Sequence, residues 1–281
     1  DVYPDGPWRP ASAIQRGSIL YIFEYPGDPL SPGTAARRGS RRLPPEKASN
    51  LPRLLTAPLA YGEAEHIIRA LAGPNTPAGW QGALPFAYHV GPGPATVRLH
   101  LEMDYRDVTL WNVIGRVRGR LSPERLVIAG NHRDAWTHGA VDPNSGTAVL
   151  LELARGLGEL LGTGWRPDRT ILLASWDGEE YGLLGSTEWA EEHAAELAEK
   201  AVAYINVDSA VSGSDLAGAG APSLAGLLVA AARDVAEPVK GGSLYDAWRA
   251  RETRDKREAW AKDATLRRLQ GRDVRSFDVE V

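Results

Sequence analysis

The chain has 281 residues, a formal net charge of −4 and no cysteine. That length can bury a sizeable core in one or two domains, and the mild acidity gives no strong pull toward nucleic acid. The missing cysteine excludes disulfides, thiol nucleophiles and thiolate zinc sites, leaving imidazole and carboxylate as the strong metal ligands, and no run reaches the ~18 apolar residues of a membrane span.

The chain opens on Asp1 rather than Met, with no signal peptide, which reads as a fragment or processed piece of a longer parent. Residues 1–106 are rich in Pro, Gly and aromatic side chains. Short strands are expected at Ser18–Phe23 and Thr96–Met103. Pro26-Gly27-Asp28-Pro29 and Ser31-Pro32-Gly33 are turn signals. Ala64–Ala72 has helical spacing, and Gly73-Pro74 is its stop. This stretch reads as part of a β-rich module. Arg37-Arg38-Gly39-Ser40-Arg41-Arg42 is a basic cluster, with a solvated loop as the plain reading and a phosphate site as the sharper one.

From residue 107 to 281 the texture is α/β. Thr109–Val117 is a strand, followed by a turn near Leu121-Ser122-Pro123. Three short apolar runs then follow at Leu126–Gly130, Thr170–Trp176 and Ala201–Val207. Helices are expected between and after them at Gly146–Leu161, Leu183–Leu197 and Ser223–Val235. Unbroken apolar runs separated by helices predict buried strands of one sheet. Residues 249–272 are dense in both charge signs and read as a solvated helix or loop.

Ligand sites in such sheets lie at the carboxyl ends of the strands. Here those ends carry His132, Asp134, Asp142, Glu179, Glu180 and Asp208. Each alone has a plainer use: a structural His–Asp pair, a helix cap, a solvated acid. Together they suit a co-catalytic metal centre, which needs several imidazole and carboxylate ligands plus one unbound carboxylate for the proton of the attacking water. Asp134, two residues past His132, points the same way along an extended strand and can orient the ring. Glu179 and Glu180 are adjacent and face different directions, so one can bind metal while the other faces the water.

The segments LVIAGNHRDAWTHGAVDPNSGTAVLLELAR, GWRPDRTILLASWDGEEYGLLGSTEWAEEH and AVAYINVDS closely resemble the glutamate carboxypeptidase II / transferrin receptor-like branch of the di-zinc aminopeptidase-type metallopeptidases. The resemblance covers roughly Tyr3 to Trp248. It implies a three-layer αβα zinc-peptidase sheet with part of a β-rich protease-associated domain, divided near 106/107. It implies zinc on His132 and Asp208, a second zinc on Glu180, Asp142 bridging, a cis Asp142–Pro143 bond, and Glu179 as general base. It also implies calcium at Ser31, the backbone near Thr34, Glu188 and Glu191. Glu188 and Glu191 share a helix face, and oxygen ligands suit that ion.

The resemblance further implies an exopeptidase acting on peptide substrates. Its parent would be a homodimer through a C-terminal helical domain that these residues do not include, lying outside the cytoplasm or on a membrane anchor. A non-catalytic receptor of the same branch is the alternative, but such a receptor would be expected to lose ligands that are all present here. The family's remaining zinc ligand, a histidine beyond Asp208, is not among these residues. The piece is therefore expected to bind one metal better than two and to be weakly active or inactive. Acidic-dipeptide members carry an arginine in the loop matching Ser214–Gly220, which here has no cation, and an asparagine where Ser18 stands. A broader amino- or carboxypeptidase is expected.

Overall fold

The computed structural model describes residues 9–77, 79–211, 213, 215–239 and 241–269. They fall into two compact units, Asp1–Val211 and Ser212–Val281.

The first unit holds one sheet of four strands. Helix α1 (Tyr61–Arg69) precedes it. Strands β1 (Val113–Val117), β2 (Ser122–His132), β3 (Arg169–Trp176) and β4 (Ala201–Asn206) follow, with helix α2 (Asn144–Gly162) after β2, and α3 (Leu184–Glu192) and α4 (Ala194–Lys200) after β3. The strand order is β1-β3-β2-β4. β1 runs antiparallel to β3, while β2 is parallel to both β3 and β4.

The apolar runs explain the layering. Successive strand residues face opposite sides, so each buried strand feeds two cores. Leu126, Ile128, Leu172, Ala174 and Trp176 form one core, against which Trp189 of α3 and Leu197 of α4 pack. Ala129 and Leu173 turn to the other side and meet Leu150 and Leu157 of α2. Helices thus cover both faces of the sheet, as the αβα expectation requires.

Register brings the site together. In the parallel pairs His132 lies opposite Trp176, and Gly130 opposite Asn206. Asp208 follows Asn206 by two residues and is level with His132, while Glu179 and Glu180 follow Trp176 directly.

Several expected elements form differently. β1 begins at Val113, not Thr109. Just before it, the Trp111 N–H donates to the Asp177 carboxylate at 2.8 Å, and the Asn112 side chain bonds Asp177 N and Gly185 O, so this stretch serves the β3–α3 turn instead of the ladder. The single helix expected over Leu183–Leu197 is broken at His193, whose ring stacks on Trp189 at 4.5 Å and whose Nδ1 lies 2.8 Å from the Trp189 carbonyl. α1 starts and stops three residues earlier than expected. The stretch after it is drawn toward residues 88–91 by Ala72 N–Gly91 O and Val90 N–Pro74 O bonds and the isolated bridge Asn75–His89.

The strands expected at Ser18–Phe23 and Thr96–Met103 do not form; among the described residues before β1, the only helices are α1 and a 3₁₀ turn at Pro45–Lys47. The alternating pattern of Thr96–Met103 finds no neighbouring strand, and Val97 and Met103 stay exposed, so its backbone has no ladder to join. Residues on both sides of 106/107 lie in the same unit.

The second unit contains a 3₁₀ turn at Pro222–Leu224, α5 (Ala225–Asp234) and α6 (Leu244–Leu269). Ser243 caps α6: its Oγ accepts the Asp246 N–H at 3.1 Å and donates to Asp246 Oδ2 at 2.7 Å. The charge-dense stretch expected from 249 is helical to 269; residues 270–272 of that expectation, and Ser214 of the substrate loop, lie outside the described residues. Among the described residues no helix is long and apolar enough to cross a membrane.

Candidate metal centre

His132 is the hub of the strand-end cluster, with its side chain 2% exposed. Its Nδ1 lies 3.0 Å from the Asp134 main-chain oxygen and 3.5 Å from Asp134 Oδ1. Those are acceptors, so Nδ1 carries a proton and donates. Nε2 then faces Asp142 Oδ1 and Asp208 Oδ1, both at 3.0 Å, and Glu179 Oε2 at 3.8 Å.

This arrangement rings the His132 imidazole with carboxylates, and their charges act on every ionisable group of the cluster. Burial lowers the His132 pKa, but the bond to Asp134 and the charges of Asp208 and Glu179 outweigh it and push the value up to about 9. Burial raises Glu179, as do the nearby charges of Asp208 and Glu180, against the opposing effect of His132. Glu180 is raised by burial and by Asp142. Asp134 goes the other way. Burial would raise it, but His132 and the main-chain N–H groups of Glu179 (3.0 Å) and Glu180 (3.2 Å) hold it below the usual carboxylate range. One carboxylate thus orients the imidazole and anchors the backbone of both glutamates.

The donor chemistry fits a hard or borderline divalent ion. His132, Asp142 and Asp208 each offer a ligand atom, all within 4.8 Å of one another. An imidazole nitrogen with its far side fixed by a carbonyl, plus carboxylate oxygens, is a zinc-type set. Glu180 lies outside this three-residue group, beside Asp142, and receives a hydrogen bond from the Trp136 side chain. The Asp142–Pro143 bond is cis, as the resemblance implied.

The second expected ion site gathers differently. Both Glu188 oxygens accept main-chain N–H groups, from Asp28 at 2.6 Å and Ala36 at 2.5 Å. The Tyr25 hydroxyl bonds Glu191 and accepts the Gly33 N–H at 3.0 Å. Thr34 N–H donates to the Ser31 carbonyl at 3.0 Å. Ser31 Oγ and Glu191 Oε2 are buried without a partner. The basic cluster is partly neutralised by acids: Arg37 pairs with Glu192, and Arg42 with Asp28 and Asp107. Ser18 Oγ donates to the Glu180 main-chain oxygen at 2.6 Å.

Sequence reading missed Asn131, Thr147, Trp136, Tyr25 and Asp28. Asn131 and Trp136 flank the His132–Asp134 motif, which was a signal available in the chain. Tyr25 and Asp28 had none, because their partners lie some 160 residues away.

The family model for peptidase family M28 matches residues 112–249. The chain is similar to an aminopeptidase, NAALADL1, of Mus musculus, at 44% identity over 88% of this chain and 34% of the relative. It is 46% identical to a probable glutamate carboxypeptidase, VP8, of Zea mays, over 84% of this chain and 33% of the relative. A probable glutamate carboxypeptidase of Arabidopsis thaliana, LAMP1, is 42% identical over 88% of this chain and 35% of the relative. The chain spans about a third of the length of these curated relatives.

Proposed function

Because the peptidase family M28 model matches residues 112–249 and the chain belongs to the glutamate carboxypeptidase-like branch of that family, we propose that the whole protein is a zinc-dependent exopeptidase cleaving peptide bonds. The observation that carries the reading is the convergence of His132 Nε2, Asp142 Oδ1 and Asp208 Oδ1 on one point, with the Glu179 carboxylate beside it.

In this reading His132, Asp142 and Asp208 would hold one ion, and Glu180 together with Asp142 would hold a second. The chemistry such an ion would supply there is Lewis acidity toward the scissile carbonyl and the attacking water. The chain's own residues do the rest. Asp134 keeps His132 in the tautomer that presents Nε2, and fixes the Glu179–Glu180 backbone. Glu179, raised by burial, accepts the water proton more readily than an exposed glutamate and returns it to the leaving amine.

Relatives named as an aminopeptidase and as glutamate carboxypeptidases support an exopeptidase of either polarity. The uncharged stretch Leu216–Gly220 and the engagement of Ser18 with Glu180 argue against a strictly acidic substrate. The receptor reading is disfavoured, since His132, Asp142, Glu179, Glu180 and Asp208 are all retained. We further propose that residues 1–106 are part of a protease-associated domain beside a catalytic domain beginning at 107, and that the whole protein is a homodimer. Calcium near Ser31, Thr34, Glu188 and Glu191 is supported by Ser31 Oγ and Glu191 Oε2, both buried without a partner.

The test is a panel of aminoacyl and N-acyl peptides offered to the full-length protein with and without Glu179→Gln. The variant is expected to retain zinc and to lose about 10²–10⁴-fold in kcat. Full turnover by the variant would overturn the mechanism.

A further inference from the structure

Immediately before His132 the strand carries Asn131, which is 1% exposed. Two residues earlier Ala129 lies in the apolar core beneath α2, and alternation puts Asn131 on that same face. A buried amide there carries a desolvation cost that an apolar residue would avoid, so its bonds identify what it does. Its Nδ2 donates to Thr147 Oγ1 at 2.6 Å and also to the His132 carbonyl. Thr147 Oγ1 donates to the same carbonyl at 3.2 Å. Amide, hydroxyl and carbonyl close a ring between the end of β2 and the first turn of α2, the helix that begins two residues after Asp142.

The third ligand-bearing segment meets the same spot. A Cβ on Gly146 would come within 2.0 Å of the Asp208 carbonyl, 2.1 Å of the Val207 carbonyl and 2.5 Å of Asn131 Oδ1. The backbones carrying His132, Asp142 and Asp208 therefore converge around one side chain whose hydrogen bonds go to the His132 carbonyl and the Thr147 hydroxyl.

We propose that Asn131 is a positioning residue of the metal centre, setting through its amide the spacing of the His132 segment from those bearing Asp142 and Asp208. The inference rests on the metal reading above. It differs from a purely structural role in what it moves: the affinity of the folded protein for zinc, not merely the stability of the fold.

The experiment titrates zinc into the chelator-stripped 281-residue chain against a competing chelator. The set is wild type, Asn131→Leu (similar shape, no donors), Asn131→Ala, Thr147→Val, Thr147→Ser and His132→Ala, each with a urea curve in chelator. Both Asn131 variants are expected to bind zinc about 10–100-fold more weakly while folded. Thr147→Val moves the same way by less, and Thr147→Ser keeps wild-type affinity. Folded Asn131 variants with wild-type affinity and only a lowered urea midpoint would overturn the proposal. If the Asn131 variants do not fold, the Thr147 pair decides: equal zinc affinity in Thr147→Val and Thr147→Ser overturns it. Failure of the metal reading looks different: wild type takes up no zinc, or His132→Ala binds like wild type, and the proposal then falls with it.

Discussion

At the scale of single residues, the site is organised by where protons and lone pairs must go. His132 keeps its proton to about pH 9 in the metal-free chain because Asp134, Asp208 and Glu179 surround it. A metal takes the unprotonated nitrogen, so zinc uptake below that pH must release a proton. Zinc affinity should therefore rise steadily from pH 6 to 8, and heats of binding should depend on the ionisation enthalpy of the buffer; a pH-independent affinity would contradict the His132 assignment. The sign for stability is opposite. A value raised from 6.5 to about 9 stabilises the metal-free fold fully below pH 6.5, and that contribution is lost as pH rises through about 9. The acids and the imidazole were legible in the sequence because they follow apolar runs at strand ends. Tyr25 was not, since it gains its role only from Glu191, a partner supplied by the fold; Asn131 and Trp136 lie beside the His132–Asp134 motif, a signal that sequence reading left unused.

At the scale of elements, parallel register converts strand order into a site. His132, Asp208 and the Glu179–Glu180 turn are level because Gly130 pairs with Asn206 and His132 with Trp176. The start of α2 is held against this edge by Gly146, where no side chain fits. Gly146→Ala tests that contact. Helix propensity alone favours Ala by about 1 kcal/mol. The added Cβ would meet main-chain oxygens at 2.0 and 2.1 Å, which cannot swing aside as a side-chain end could. Overpacking of this kind costs about 1–3 kcal/mol or more, so the variant should be less stable by urea denaturation, and a more stable variant would refute the packing. Long apolar runs were read correctly as strands; the expected burial holds for β2 and β3, whereas β4, at the edge of the sheet, leaves Val202, Tyr204 and Ile205 exposed. The broken α3–α4 helix and the shortened β1 were misread because His193, Trp111 and Asn112 divert the backbone through contacts that have no period. Thr96–Met103 shows the converse: a clear strand pattern is not a strand where no neighbour pairs with it.

At the scale of the molecule, the sheet with helices on both faces places every proposed ligand within the unit Asp1–Val211. At the strand ends four carboxylates share one imidazole, whereas Arg37 and Arg42 of the basic cluster each have acidic partners. The three converging ligand atoms belong to His132, Asp142 and Asp208, while Glu180 stands apart from them. That geometry predicts one tight zinc ion per 281-residue chain. The decisive measurement is zinc content by elemental analysis after equilibrium dialysis against a weak chelator, for wild type and for His132→Ala, Asp142→Ala and Asp208→Ala. About one zinc per wild-type chain is expected, with a loss of it in each variant that remains folded. A wild-type chain that retains no zinc, or variants that retain as much as wild type, would contradict that expectation.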